Sequence, residues 1–227
     1  QMDINISDDF TLPNIAISNN TNSSNELTCS TPEIELQSSG GESYNWLSGA
    51  LIGDVITIDT PGIYEVIGLG TNGCSNTASI EITSNIVLPD IVIENVTGLD
   101  TLDCNTTLVD LMATGGISYT WSNSLGTDPN IVVITEGMYY VEGVGDNGCI
   151  SIDSMYIYYL PNPTISVNSG TICSGDSIVL IAQTDQLGGV FTWSSGLGND
   201  TSVTVSPSSN FFYSVDYEGL NGCPSNT

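Results

Sequence analysis

The chain has 227 residues, carries 26 Asp or Glu and contains no Lys, Arg or His, for a net charge of −26. With no cation to neutralise phosphate, nucleic-acid binding and attraction to anionic lipid are excluded. So are a phosphate-loop lysine, a Schiff-base lysine, an arginine finger, a Ser-His-Asp triad, a histidine-ligated zinc site and a Lys–Asn isopeptide bond. The charge amounts to about −9 per 75 residues, which repels like segments and favours an extended, soluble array. No run is long and apolar enough to cross a membrane as a helix, so no membrane insertion is expected of this segment.

In chain order, the first feature is Ile4-Asn5-Ile6-Ser7, followed by Leu12-Pro13. Both recur 76 residues later, as Ile80-Glu81-Ile82-Thr83 and Leu88-Pro89, and Leu160-Pro161 follows in turn. Residues 1–8 therefore read as the last strand of a preceding repeat. A first repeat spans 9–84, a second 85–159, and a third 160–227 lacks its last strand. Within the first, alternation of period two predicts strands near 33–37, 43–47, 54–59, 62–68 and 77–83. The next copy opens with a strand near 90–95. Two readings account for the offset ends. The chain is a slice of a longer array, or it is a circularly permuted subunit whose first strand completes the third domain of the next molecule.

The same phrase marks each copy: a cysteine, aromatic-x-Trp, a Tyr, then Asn-Gly-Cys. It reads Cys29, Tyr44-Asn45-Trp46, Tyr64 and Cys74; then Cys104, Tyr119-Thr120-Trp121, Tyr139 and Cys149; then Cys173, Phe191-Thr192-Trp193, Tyr213 and Cys223. Many short strands separated by Gly and Asn, with no helical stripe, predict an all-β fold. The expectation is a tandem array of small immunoglobulin-like antiparallel β-sandwiches, one disulfide each. Trp46, Trp121 and Trp193 are expected in the core, with a sugar-stacking platform as the alternative. Tyr64, Tyr139 and Tyr213 are expected to be core or corner residues. Asn-Gly before each closing cysteine predicts a type I′ hairpin. One bridge per unit predicts Cys29–Cys74, Cys104–Cys149 and Cys173–Cys223. Each Leu-Pro stiffens the entry to its copy, which suits a stalk.

The strings Tyr119-Thr120-Trp121-Ser122-Asn123, Gly137-Met138-Tyr139-Tyr140-Val141 and Asp146-Asn147-Gly148-Cys149 resemble repeats of giant Bacteroidota surface adhesins. These include SprB-type repeats of gliding-motility adhesins and related PKD-like and immunoglobulin-like repeats. The PKD signature Trp-x-Phe-Gly-Asp-Gly is absent after each Trp, and the third copy spaces its first cysteine and Trp by 20 residues rather than 17. The resemblance implies export by the type IX secretion system and an extracellular, cell-surface location. It also implies O-glycosylation at Asp-Ser/Thr-aliphatic sequences, which makes Thr101, Ser154 and Ser177 candidate sites.

The expected function is a non-catalytic extracellular repeat segment forming the stalk or filament of a bacterial surface adhesin, in gliding or attachment. The alternatives are a fibre subunit polymerised by strand donation, and a carbohydrate-binding accessory region of a secreted enzyme, for which Tyr158 and Tyr159 are the candidate contacts. The expected partners are further repeats of the same chain or filament, with surface glycans or a substratum beyond them. No cofactor is expected. Calcium is the one ion worth naming, since many carboxylates near the junctions, such as Asp8 and Asp9, could bind it; without an Asp-x-Asp-x-Asp-Gly loop the expectation is diffuse Ca2+ association rather than an ordered site.

Overall fold

The computed structural model describes residues 9–47 and 53–225, and the strand expected within residues 1–8, with Asp8, lies outside them. The described chain is almost entirely β. In the first copy the strands are β1 (Ala16–Asn19), β2 (Glu26–Thr28), β3 (Ile34–Ser39), β4 (Ser43–Trp46), β5 (Val55–Ile58), β6 (Gly62–Leu69) and β7 (Ser75–Asn85). They form a three-stranded sheet, β1-β3-β5, and a four-stranded sheet, β2-β7-β6-β4. Strict alternation turns one face of each inward, as in β3, where Ile34, Leu36 and Ser38 are buried while Glu35 and Ser39 are exposed. Register pairs Ile34 with Ile58 and Leu36 with Ile56, and in the other sheet Trp46 with Val66. These residues form one core with Tyr64 and Ile82.

The second copy repeats the plan with β8 (Val92–Asn95), β9 (Thr101–Leu102), β10 (Val109–Thr114), β11 (Ser118–Trp121), β12 (Asn130–Val133), β13 (Gly137–Val144) and β14 (Ile150–Tyr159). Its sheets run β12-β10-β8 and β11-β13-β14-β9. The short strands β2 and β9 depart from the all-antiparallel expectation. Each adds to the last strand of its copy in parallel, Thr28 beside Asn85 and Leu102 beside Tyr159. Two or three residues give too little alternation to reveal such edges in sequence.

The third copy contains β15 (Ile165–Val167), β16 (Ile178–Thr184), β17 (Val190–Trp193), β18 (Ser202–Val205) and β19 (Val215–Glu218), in sheets β15-β16-β18 and β17-β19. Its core substitutes one solution for another. Six residues before the closing cysteine the first two copies have Gly68 and Gly143, where a Cβ would sit 2.2 Å from Ile15 Cδ1 and Ile91 Cδ1 respectively. The third copy has Tyr217 there, and the fully buried Pro163 takes the place of the isoleucine. Tyr44 and Tyr119 each bond the backbone of a nearby glycine, Gly41 and Gly116. Phe191 lacks that hydroxyl, and Tyr217 supplies it from the neighbouring strand. Its Oη accepts from Gly189 N (2.8 Å) and donates to Gln186 O (2.6 Å).

The turns before the closing cysteines are not type I′. That turn requires positive φ at both central residues, and only the glycines have it: Gly73 (79°), Gly148 (76°) and Gly222 (75°). Gly73 N donates to Gly70 O at 3.0 Å, so the loop is one residue longer, a turn followed by a left-handed glycine. This frees the asparagine side chain, whose Oδ1 accepts the N–H of the cysteine two residues on in all three copies.

By compactness the chain divides into two units. One holds residues 1–91, 115–119 and 142–152, the other 92–114, 120–141 and 153–227.

Candidate functional site: the cysteine junctions

The parallel edge strand decides where the first cysteine of the first two copies goes. β2 runs straight into Cys29, and its last residue, Thr28, pairs with Asn85 at the end of β7. Cys74 immediately precedes Ser75, at the start of the same eleven-residue strand. At about 3.4 Å per residue the two cysteines lie at opposite ends of a strand about 35 Å long. A disulfide needs Cα atoms within about 7 Å. The expected bond Cys29–Cys74 is therefore sterically impossible.

The bonds formed instead join consecutive copies, and they correct all three expected pairings. Cys29 is bonded to Cys149 with Cα atoms 4.9 Å apart, and Cys104 to Cys223 with Cα atoms 5.7 Å apart. The first cysteine of the first copy takes the closing cysteine of the second, and the first cysteine of the second copy takes that of the third. Cys74 and Cys173 are free thiols, so Cys104–Cys149 and Cys173–Cys223 are not formed either. Each bond lies inside one of the two compact units.

The surroundings of the first bond are built by Asn147, a buried polar side chain. Its Nδ2 donates to Asn85 O (3.2 Å), Asn85 Oδ1 (3.1 Å) and Val87 O (2.9 Å), gripping the chain where one copy passes into the next. Its carbonyl accepts from Ser30 N at 3.3 Å. Ser30 in turn packs on Gly148, where an added Cβ would meet Ser30 Cβ at 2.5 Å. The second bond is flanked by Asp103 and Asn105. Asn105 Nδ2 donates to Asn221 O (2.8 Å), and Asn221 Nδ2 donates to Asp103 Oδ2 (3.1 Å). Hydrogen bonds from the backbone N–H of Thr106, then of Asn105, and from Asn221 hold the Asp103 carboxyl below the usual carboxylate range. Cys149 and Cys223 are buried, 1% and 0% exposed.

The other singled-out residues fall as follows. Trp46, Trp121 and Trp193 are buried, and each indole N–H donates to a carbonyl seven residues on, Gly53, Asp128 and Asp200. Their faces are closed to a sugar. Tyr64 and Tyr139 are buried, with hydroxyls donating to Thr60 O and Thr135 O. Tyr213 is only half-buried and lies just before β19. Ser154 and Ser177 are exposed, and Thr101 is half-buried in β9 with its hydroxyl donating to Asp100 Oδ1. Tyr158 and Tyr159 are exposed, and Tyr158 has the Tyr156 ring beside it at 4.7 Å between centroids. Asp9 accepts the N–H of Thr11 through Oδ1 at 2.9 Å, a turn-capping role. Among the described residues no three carboxylates or cysteines cluster as a metal site.

No family model matches the chain, and no curated protein matches it. Solved structures do align. A 1.5-MDa bacterial ice-binding adhesin, studied for its retention at the host cell surface, matches at 11% identity over 95% of this chain and 96% of its own, with a TM-score of 0.47. A Ca2+-stabilized adhesin of an Antarctic bacterium that binds ice matches at 13% identity over 96% and 73%, with a TM-score of 0.49. Fibronectin(III)-like modules of Clostridium thermocellum CbhA match at 11% identity over 64% and 95%, with a TM-score of 0.32. The neighbours are thus bacterial adhesin domains and immunoglobulin- or fibronectin-like folds.

Proposed function

We propose that this chain is a non-catalytic, tension-bearing segment of an extracellular bacterial fibre, the stalk of a surface adhesin. The observation that carries this reading is the staggered pair of bonds, Cys29–Cys149 and Cys104–Cys223. The two loops overlap, so a pull on the termini has a covalent shortcut. Force passes from Cys29 to Cys149, back along the chain to Cys104, and across to Cys223. Only the 45 residues between Cys104 and Cys149 (149 − 104) extend if every domain unfolds. Without the bonds, the 194 residues between Cys29 and Cys223 (223 − 29) all extend. At about 3.5 Å per residue the limits are about 160 Å and about 680 Å. A catalytic or ligand-binding domain has no use for such a limit, and a stalk does. The absence of Lys and Arg supports the same reading, since proteases that cut after basic residues find no site.

The finer reading, a Bacteroidota gliding or attachment adhesin exported by type IX secretion, is supported by the resemblance of the Tyr-x-Trp-Ser and Asn-Gly-Cys strings. Pulling single molecules by their termini tests the load path. The expected result is a fully extended length between Cys29 and Cys223 near the lower limit in oxidising buffer and near the upper limit after reduction. Extension to the upper limit without reductant overturns it.

A further inference from the structure

Asn-Gly occurs three times in the chain, as Asn72-Gly73, Asn147-Gly148 and Asn221-Gly222, each time directly before a closing cysteine. In a flexible peptide this pair is chemically labile. The glycine nitrogen can attack the side-chain amide carbon of the asparagine, and no Cβ on the glycine obstructs it. Two structural demands bring the pair together at the junction. The backbone at Gly148 has a φ of 76°, which glycine adopts without strain. The position before it needs one side chain that accepts at one atom and donates at another, and asparagine does both.

The same hydrogen bonds hold the reaction off. Gly148 N, the nucleophile, donates its proton to Gly145 O at 3.0 Å. Asn147 Oδ1 accepts from Cys149 N at 3.1 Å. Nδ2, the nitrogen that would leave, is the atom that donates to Asn85 O, Asn85 Oδ1 and Val87 O. Asn147 is 7% exposed, which keeps back the water that must take up the proton. The first two bonds recur at the other pairs. Gly73 N donates to Gly70 O and Gly222 N to Gly219 O, while Asn72 and Asn221 accept from Cys74 N and Cys223 N.

We propose that Asn147-Gly148 is a self-modification site locked by the fold. It is inert while the junction is closed, converts to aspartate or isoaspartate once the junction opens, and then keeps the junction from closing again. In the step, Gly148 N gives its proton to water and bonds to Asn147 Cγ. The Cγ–Nδ2 bond breaks and the nitrogen leaves as ammonia. Water then opens the five-membered imide at either carbonyl. The sum is amide plus water to acid plus ammonia, with no change of oxidation state. The aspartate product turns an oxygen, in place of Nδ2, toward three oxygens of Asn85 and Val87. It buries a carboxylate in a chain with no Lys, Arg or His to pair with it. The isoaspartate product lengthens the main chain by one methylene two residues before Cys149, and displaces the carbonyl that accepts from Ser30 N. This modification depends on the junction geometry alone and not on load.

The test keeps the purified chain at neutral pH, once oxidised and folded and once reduced in denaturant. Conversion at Asn147 is read by the mass gain of its peptide, and isoaspartate by enzymatic carboxyl methylation. The expected result is conversion at least tenfold slower in the folded chain, and equal rates overturn the protection. Gly148→Ala slows conversion several-fold in denaturant, because a methyl then shields the attacking nitrogen; an unchanged rate overturns the imide route. The effect on the junction is read on Asn147→Asp, refolded in a glutathione redox buffer and mapped without reduction. The expected result is a yield of Cys29–Cys149 at least tenfold below the wild type while Cys104–Cys223 still forms, which shows the rest of the chain folded. Cys29–Cys149 at the wild-type yield overturns the proposal. Loss of Cys104–Cys223 as well means general misfolding and overturns it too.

Discussion

Ser30 sits on the bare backbone of Gly148, so close that an added Cβ would lie 2.5 Å from Ser30 Cβ and 2.9 Å from Ser30 N. The equivalent glycine of the first copy, Gly73, has the same left-handed backbone and no neighbour within 4 Å. The pair separates two costs that sequence alone merges. Gly73→Ala is expected to cost about 1–2 kcal/mol, the strain of a left-handed L-residue. Gly148→Ala adds overpacking against Ser30 and is expected to cost about 2–4 kcal/mol. It should also slow formation of Cys29–Cys149. Thermal unfolding of both variants, with thiol counting during oxidative refolding, checks this. Equal losses would mean that Ser30 does not seat on Gly148.

Tyr217 supplies from β19 the hydroxyl that Phe191 lacks. Tyr217→Phe removes both hydrogen bonds and leaves the Gly189 N–H unmet, at an expected cost of about 1–3 kcal/mol. Phe191→Tyr should not rescue it, because the ring at position 217, still present as Phe, keeps the space beside residue 191, where the two ring centroids lie 4.7 Å apart. Denaturant unfolding of the single and double variants measures this, and rescue by Phe191→Tyr would contradict it.

With a net charge of −26 and no Lys, Arg or His, no side-chain ion pair can form, and the net electrostatic term is repulsion. Added salt therefore only helps. Raising ionic strength from about 0.01 to 0.15 M shortens the screening length from about 30 to 8 Å. The melting temperature is expected to rise monotonically over that range by several degrees. A fall would contradict the assignment.

Acid acts on three aspartates that accept backbone N–H groups, Asp9 and Asp103 within local turns and Asp185 from Thr164, 21 residues away. Asp9, Asp103 and Asp185 are each held below the ordinary value of 3.8, first of all by a backbone N–H: Thr11, Thr106 and Thr164 respectively. A carboxyl lowered in the fold adds stability that is fully present above that ordinary value and is lost as pH falls through the lower, folded one. Asp103→Asn is therefore expected to be less stable than the wild type near pH 6, with the gap closing toward pH 2. Melting temperatures of both proteins across that range, at constant ionic strength, provide the check. A gap independent of pH would contradict it.

The strand alternation around Ile34, Leu36 and Val66, and the aromatic-x-Trp strands ending in Trp46, Trp121 and Trp193, are legible from residue order because burial on one face imposes a period of two. The cysteine pairing is not. In this tandem array every closing cysteine follows the same Asn-Gly pair, so residue order gives Cys29 no means of choosing between Cys74 and Cys149. What separates them is the length of β7 and the parallel attachment of β2 at its far end, and β2 has only three residues. The Asn-Gly turns mislead for a related reason. Asn72 keeps a negative φ because Gly70, two residues upstream, starts a longer loop.

The most direct test of the account is peptide mapping of the oxidised monomer without reduction, using cleavage at Asp and Glu because no basic residue exists. The structure requires links between Cys29 and Cys149 and between Cys104 and Cys223, with Cys74 and Cys173 alkylated as free thiols in that monomer. Recovery of Cys29–Cys74, Cys104–Cys149 and Cys173–Cys223 would contradict it.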